Sequence, residues 1–324
     1  MSFDLIPIID AIRPMANTAI SSIVGVLMTA LFLRGNTNTS EFEKFKAGKF
    51  NEALDELLKS GKMSYMELYK CKNFLVIAKK AEEICSETKI AEINANNNQR
   101  RNNYEEPSAY DFDWFVRFFD AAGNVSNDKM QQLWARILAG EVQQPGTFSL
   151  RTIETLYNMT HSEATLFQTI ASIILMEYDG SKFIYRSEYS DFEASDAEIN
   201  GKYGFGAQEF AILEECGLLS SLRQESYATV INESIGIYND NIILMFQVKS
   251  DIEGKEPFQY SCYMLTQTAL QLLSIVQAEP NDKYIIDLGV YLKKRNPGFL
   301  ITAHKILSIK SNEVSYDVSK DLLE

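Results

Sequence analysis

The sequence predicts a mainly α protein with a smaller α+β part: a helical N-terminal half, a compact helical bundle and a winged-helix-like C-terminal module. Three observations carry that fold class. From Phe42 to Ile174 apolar residues recur at helical spacing, punctuated by capping and stop residues. After Asp179, alternation and branched side chains take over in Lys182–Tyr189, Ala228–Tyr238 and Ile242–Val248. A helix over Ala207–Cys216, two of those strands and a helix opened by Leu265-Thr266 then come in winged-helix order. The boundaries drawn on this reading are 1–35 for a hydrophobic N-terminal helix, 36–92 for a helical hairpin, 93–108 for an Asn-rich linker, 109–178 for the bundle and 179–324 for the winged-helix-like module.

The 324 residues are 46% hydrophobic and 23% charged, which excludes a largely disordered, collagen-like or multi-span membrane chain. With 31 Lys+Arg against 44 Asp+Glu the net charge is −13, so no global basic footprint for nucleic acid exists. The acidity lies in the back two-thirds, while residues 1–104 are neutral to slightly basic. Cys71, Cys85, Cys216 and Cys262 form no C-x-x-C pair, the pattern of reduced thiols in a cytoplasm-facing protein.

The leading segment is the most distinctive by composition. No charge lies between Arg13 and Arg34, and most positions from Ile20 to Leu33 are apolar. A helix of about 20 residues spans roughly the hydrocarbon thickness of a bilayer. Ser21, Gly25 and Thr29, four apart, make a small-residue stripe that would let a second helix approach closely. Insertion would place the next domain in the cytoplasm, since Lys44, Lys46 and Lys49 flank the span on that side. Asn17, Thr18, Ser21, Ser22 and Thr29 make the span marginal, and the competing reading is a helix buried in the protein's own bundle or in an oligomer.

Ser40-Glu-Phe-Glu43 and Ser64-Tyr-Met-Glu67 have capping-box form and open the two helices of the hairpin, with Gly61 as the stop between them. Ile93–Asn103 is polar and Asn-rich, a hinge or linker. From Asp111 the bundle begins. Phe112, Phe115, Phe119 and Ala122 line a first helix, ended at Gly123; Ser126 caps a second through Trp134 and Leu138, ended at Gly140. Pro145-Gly146 is a turn, Ser149 caps a third helix, and Ser162 starts a fourth.

Within this bundle stand Asp113-Trp114, Phe118-Phe119-Asp120, the string Leu133-Trp-Ala-Arg-Ile-Leu-Ala-Gly-Glu141, then Pro145-Gly-Thr-Phe-Ser149 and Arg151-Thr152. This cluster resembles the bacterial domain-of-unknown-function family 2806, and the similarity continues weakly through Leu213–Leu219 and the Leu265-Thr266 helix, covering roughly residues 110–280. Relatives tend to read Leu-Thr-x-x-Gly in the late helix, whereas this chain has Ala269. The resemblance implies a cytoplasmic protein with a helical or hydrophobic N-terminal extension and, by association, a role in conflict with phage or mobile elements; it implies no activity.

Two readings of the cluster stay open. Arg136, Glu141 and Arg151 flank the Pro-Gly turn and either lock it through bidentate hydrogen bonds or bind an anion such as phosphate. Elsewhere the chemistry is sparse. Gly201-Lys-Tyr-Gly204-Phe-Gly206 reads as a loop, not a nucleotide cradle. His161 reads as a surface or capping residue, and His304 as a satisfied imidazole in an apolar run. Asp111-x-Asp113 suits a helix start better than a cation site. Asp240 with Glu253-Gly-Lys255 only loosely mimics a nuclease centre.

No catalytic residue, metal or cofactor is assigned. The leading expectation is a non-enzymatic regulatory or interaction protein, cytoplasmic or attached to the inner membrane through residues 14–33. Its partner would be a second copy, a membrane surface or another protein. A nucleic-acid regulator acting through the C-terminal module, with Lys293-Lys294-Arg295 as its basic cluster, is the alternative. An enzyme of unrecognised type is the second alternative.

Overall fold

A computed structural model describes residues 55, 58–61, 64–95, 112–186, 198–228, 235–249, 258–310 and 313–324. Residues 14–33 with Ser21, Gly25 and Thr29, the helix over 40–60 apart from 55 and 58–60, the linker from 96 to 108, Asp111 and Glu253–Lys255 lie outside them. Two compact units divide at Tyr157/Asn158.

The first unit is helical: α1 (Tyr65–Ala95), α2 (Phe112–Ala122), α3 (Asp128–Gln143) and α4 (Leu150–Asn158). The capping box at the start of α1 is present. Ser64 Oγ accepts from the Glu67 amide at 3.2 Å and the Glu67 carboxylate accepts from the Ser64 amide at 2.7 Å. These bonds hold the Glu67 carboxyl below its ordinary pKa. Along α1, Leu68, Cys71, Phe74, Leu75, Ala78, Ala81 and Cys85 are buried, placing this helix against α2 and α3. Phe74 meets Phe115, Phe118 and Phe119 edge-on at 5.8, 6.4 and 5.1 Å, and Trp114 stacks on Phe118 at 5.0 Å. α3 is capped by Asn127, not by Ser126 as the sequence suggests, and it runs on through Gly140 to Gln143.

The second unit is built on a sheet. α5 (His161–Ile170) opens it with a complete capping box from Thr160 and Glu163. After it come β1 (Leu175–Met176), β2 (Lys182–Arg186), α6 (Glu198–Lys202), α7 (Ala207–Glu215), β3 (Leu219–Ala228), β4 (Ile235–Tyr238), β5 (Ile242–Val248), β6 (Phe258–Leu265), α8 (Gln267–Leu273), α9 (Asp282–Arg295), β7 (Phe299–Lys310) and β8 (Glu313–Tyr316). The eight strands form one antiparallel sheet in the order β3-β6-β2-β1-β4-β5-β7-β8. This corrects the winged-helix expectation. The C-terminal part is no three-helix module with a small wing but an eight-stranded sheet. The strands read as a wing are β4 and β5, and they lie inside that sheet, flanked by β1 and β7.

Helix α9 packs on one face of the sheet, against β5 and β7. The approach is close: a Cβ on Gly289 would sit 2.8 Å from Leu244 Cδ2 and 2.9 Å from Leu323 Cδ2, so any larger residue would have to push these leucine side chains aside. On the other face Tyr238, Ile243 and Met245 form a small core, flanked by Met176, Tyr178, Ile306, Val314 and Tyr316. The chain end returns to β7, where the Asp321 carboxylate accepts from the Ala303 amide at 2.9 Å. Buried Tyr284 ties α9 to α6 by donating to Asn200 Oδ1 at 3.0 Å, and Asn200 donates in turn to the Tyr185 carbonyl at 2.8 Å.

Candidate functional site

The stretch that carries the family resemblance folds into a buttressed turn between α3 and α4. Glu141, 3% exposed, accepts from the Gly146 amide at 2.6 Å through one carboxylate oxygen and from the Phe148 amide at 3.0 Å through the other. Gly146 has φ +86°, the left-handed region that a Pro-Gly turn requires. The turn is then clamped from two sides. Trp114 Nε1 donates to the Phe148 carbonyl at 2.6 Å, and a Cβ on Gly140 would lie 2.7 Å from the Phe148 ring. Ser149 Oγ accepts from the Thr152 amide at 3.2 Å and starts α4.

Of the residues singled out from the sequence, Arg136 is half-buried on α3, Glu141 is buried on the same helix, and Arg151 is exposed in the first turn of α4. Glu141 and the Pro-Gly turn are brought together. The roles of Trp114 and Gly140 were not legible in the motif, although a glycine inside an apolar helix is a signal of close approach. Trp134 Nε1, buried in the same core, has no hydrogen-bond partner among the described residues.

Other sequence-marked groups are engaged in structure. His304 pairs its Nδ1 with the Lys320 carbonyl at 3.0 Å and its Nε2 with Thr302 Oγ1 at 2.9 Å, and it stacks on Tyr316. His161 is exposed at the start of α5. Lys293, Lys294 and Arg295 occupy the last turn of α9, where they complement the helix dipole. Arg295 lies over the Tyr291 ring at 5.6 Å and Lys293 is 3.9 Å from Asp321.

The thiols are similarly quiet. Burial, with the Glu67 charge second, pushes the Cys71 thiol up to about 12, and burial beside Glu177 pushes Cys262 up to about 11. Ellman's reagent on the native protein at about pH 8 is therefore expected to leave both unmodified until denaturant is added. Rapid native labelling of either would contradict that assignment.

Two surfaces of the described residues are candidates for function. The outer side of α1 exposes Tyr65 (80%), Met66 (62%), Tyr69 (43%) and Val76 (43%). In the second unit a pocket of about 220 Å³ opens between the turn after α5, strands β1 and β2, the β4–β5 turn and the end of α8. Among the described residues no group of three or more His, Cys, Asp or Glu could hold a metal ion, and no helix is long and apolar enough to cross a membrane.

Fold and site together describe a two-unit α and α+β protein whose most specific sequence string builds a turn. The chain belongs to the family described as protein of unknown function, DUF2806, which matches residues 78–289, about two-thirds of its length. The match runs from the middle of α1 to the middle of α9, past both ends of the region recognised from the motifs. No curated protein and no solved structure matches the chain.

Proposed function

We propose that this protein is a regulatory interaction protein, not an enzyme, that self-assembles through its N-terminal half. The observation that carries the reading is the exposed stripe of α1. Tyr65, Tyr69, Lys72 and Val76 are spaced 4, 3 and 4 residues apart and so share one face, the seam pattern by which two helices pair. Large apolar groups on an otherwise core-packed helix need a cover, and a second copy of the same stripe supplies one. The uncharged run 14–33, with its small-residue positions Ser21, Gly25 and Thr29, lies just upstream and argues for the same use. The choice against enzyme chemistry rests on how polar groups are spent: both Glu141 oxygens on amides, both His304 nitrogens on neighbours.

Sedimentation velocity tests this. The wild-type chain is expected to sediment as a dimer or larger. The combined variant Tyr65→Ser, Tyr69→Ser, Val76→Ser is expected to shift to monomer with only a small fall in melting temperature, because exposed substitutions move stability by about 0.5 kcal/mol or less each and Tyr69 also gives up side-chain hydrogen bonds to Ser126 and Asn73. An unchanged sedimentation coefficient would overturn the assignment. So would a monomeric wild type that instead floats with anionic vesicles, which would mark a membrane surface as the partner.

A further inference from the structure

The pocket of the sheet unit carries an inference that goes beyond assembly and does not depend on it. Its floor is one row of the sheet. Lys182 pairs with Met176 and Met176 pairs with Tyr238, and directly paired residues point to the same side. Asp240 lies at the turn after β4, so a cation and a carboxylate line one opening. Among the described residues neither is held in an ion pair. The rest of the lining mixes the apolar side chains of Ile174, Met176, Leu273 and Val276 with the polar Ser172 and Asn239.

The opening is held in shape by its own hydrogen bonds. The Asn281 amide donates to the Ser172 carbonyl at 2.8 Å, tying the start of α9 to the turn after α5. Asn239, 4% exposed, accepts from the Asn241 and Ile242 amides at 2.9 and 2.7 Å and donates to Asp282 Oδ1 at 3.3 Å. A pre-formed concave site with placed polar groups and some apolar surface is a common form of a small-molecule site. At about 220 Å³ it holds the volume of about seven waters, below the range of drug-sized pockets. That suits a ligand of roughly ten non-hydrogen atoms or fewer.

We propose that this pocket binds a small zwitterion with an apolar body, the chemistry of an aliphatic amino acid. Lys182 takes the carboxylate, Asp240 takes the ammonium, and Ile174, Met176, Leu273 and Val276 enclose the side chain. A ligand carrying only one of the two charges leaves the other protein charge facing it unpaired and binds less well.

Isothermal titration of the full-length protein with leucine and valine, and with 4-methylpentanoate and 3-methylbutylamine as single-charge analogues of leucine, tests this directly. At least one amino acid is expected to bind at submillimolar concentration, and each analogue about tenfold or more weaker than leucine. Lys182→Met is expected to lose at least about tenfold in amino-acid affinity with an unchanged melting temperature, and Asp240→Asn to remove the advantage of leucine over its acid analogue. Absence of heat with both amino acids, or equal affinity in Lys182→Met, would overturn the proposal. Equal binding of leucine and 4-methylpentanoate would overturn the zwitterion. None of these readouts depends on oligomeric state, so failure here leaves the assembly reading to its own test.

Discussion

Replacing Glu141 with leucine is expected to destabilise the helical unit by about 3 kcal/mol. The substitution nearly conserves volume, so little of the loss is a cavity. The loss comes from the Gly146 and Phe148 amides, which surrender the carboxylate that accepts from both. Each buried donor left without an acceptor costs about 1–3 kcal/mol, and part of this is returned because a buried charge no longer has to be desolvated. Glu141→Gln keeps one acceptor oxygen and is expected to cost less than half as much. Both tryptophans of the chain, Trp114 and Trp134, lie in this unit, so urea unfolding followed by tryptophan fluorescence reports on it selectively. A midpoint within error of wild type for Glu141→Leu would show that the turn does not need its carboxylate.

Phe74→Ala is expected to cost more, about 3–5 kcal/mol, the range for deleting a fully buried aromatic side chain. Phe74 is 1% exposed and stands edge-on to three rings of α2, so its removal opens a void between α1 and α2 that neighbouring rings cannot fill without leaving their rotamers. The same unfolding measurement checks it. A loss below about 1.5 kcal/mol would mean that the α1–α2 contact contributes little and that α1 is held mainly by α3.

The helices from 112 to 170 were legible because their signals are local. Apolar spacing, caps such as Ser149, and the Gly123 and Pro145-Gly146 stops all act within a turn or two of the residues they organise. The caps themselves moved by a residue or two, since Asn127 and Thr160 compete for the role with Ser126 and Ser162. The sheet was not legible because its pairings are distant in the chain. Phe183 pairs with Met264 and Ile243 with His304, and no sequence window contains both partners. β7 hid for a further reason. Its exposed positions carry apolar residues, Leu300, Leu307 and Ile309, so Phe299–Lys310 lacks the clean polar-apolar alternation of a half-exposed strand.

The candidate sites divide the same way. Arg136, Glu141 and Arg151 around a Pro-Gly turn were readable as a lock or an anion site, but the Gly146 and Phe148 amides that the Glu141 carboxylate accepts from leave no trace in the residue types. The pocket draws Ser172, Lys182, Asp240 and Leu273 from four separate segments, and none of them forms a motif with another. The α1 stripe of Tyr65, Tyr69 and Val76 did not stand out in the sequence, where the buried side of the same helix dominates the apolar pattern, and it emerged only with the exposures of these residues.

Site-directed crosslinking at Tyr69 is the most direct test of self-assembly through α1. A cysteine there lies at the middle of the exposed stripe, and a residue near a two-fold axis meets its own counterpart in the partner copy. Oxidation of Tyr69→Cys is predicted to give a covalent dimer, whereas Val290→Cys, similarly exposed but on α9, is predicted to give no covalent dimer. A Tyr69→Cys protein that forms no covalent dimer under the same oxidation, like the Val290→Cys control, would contradict the account.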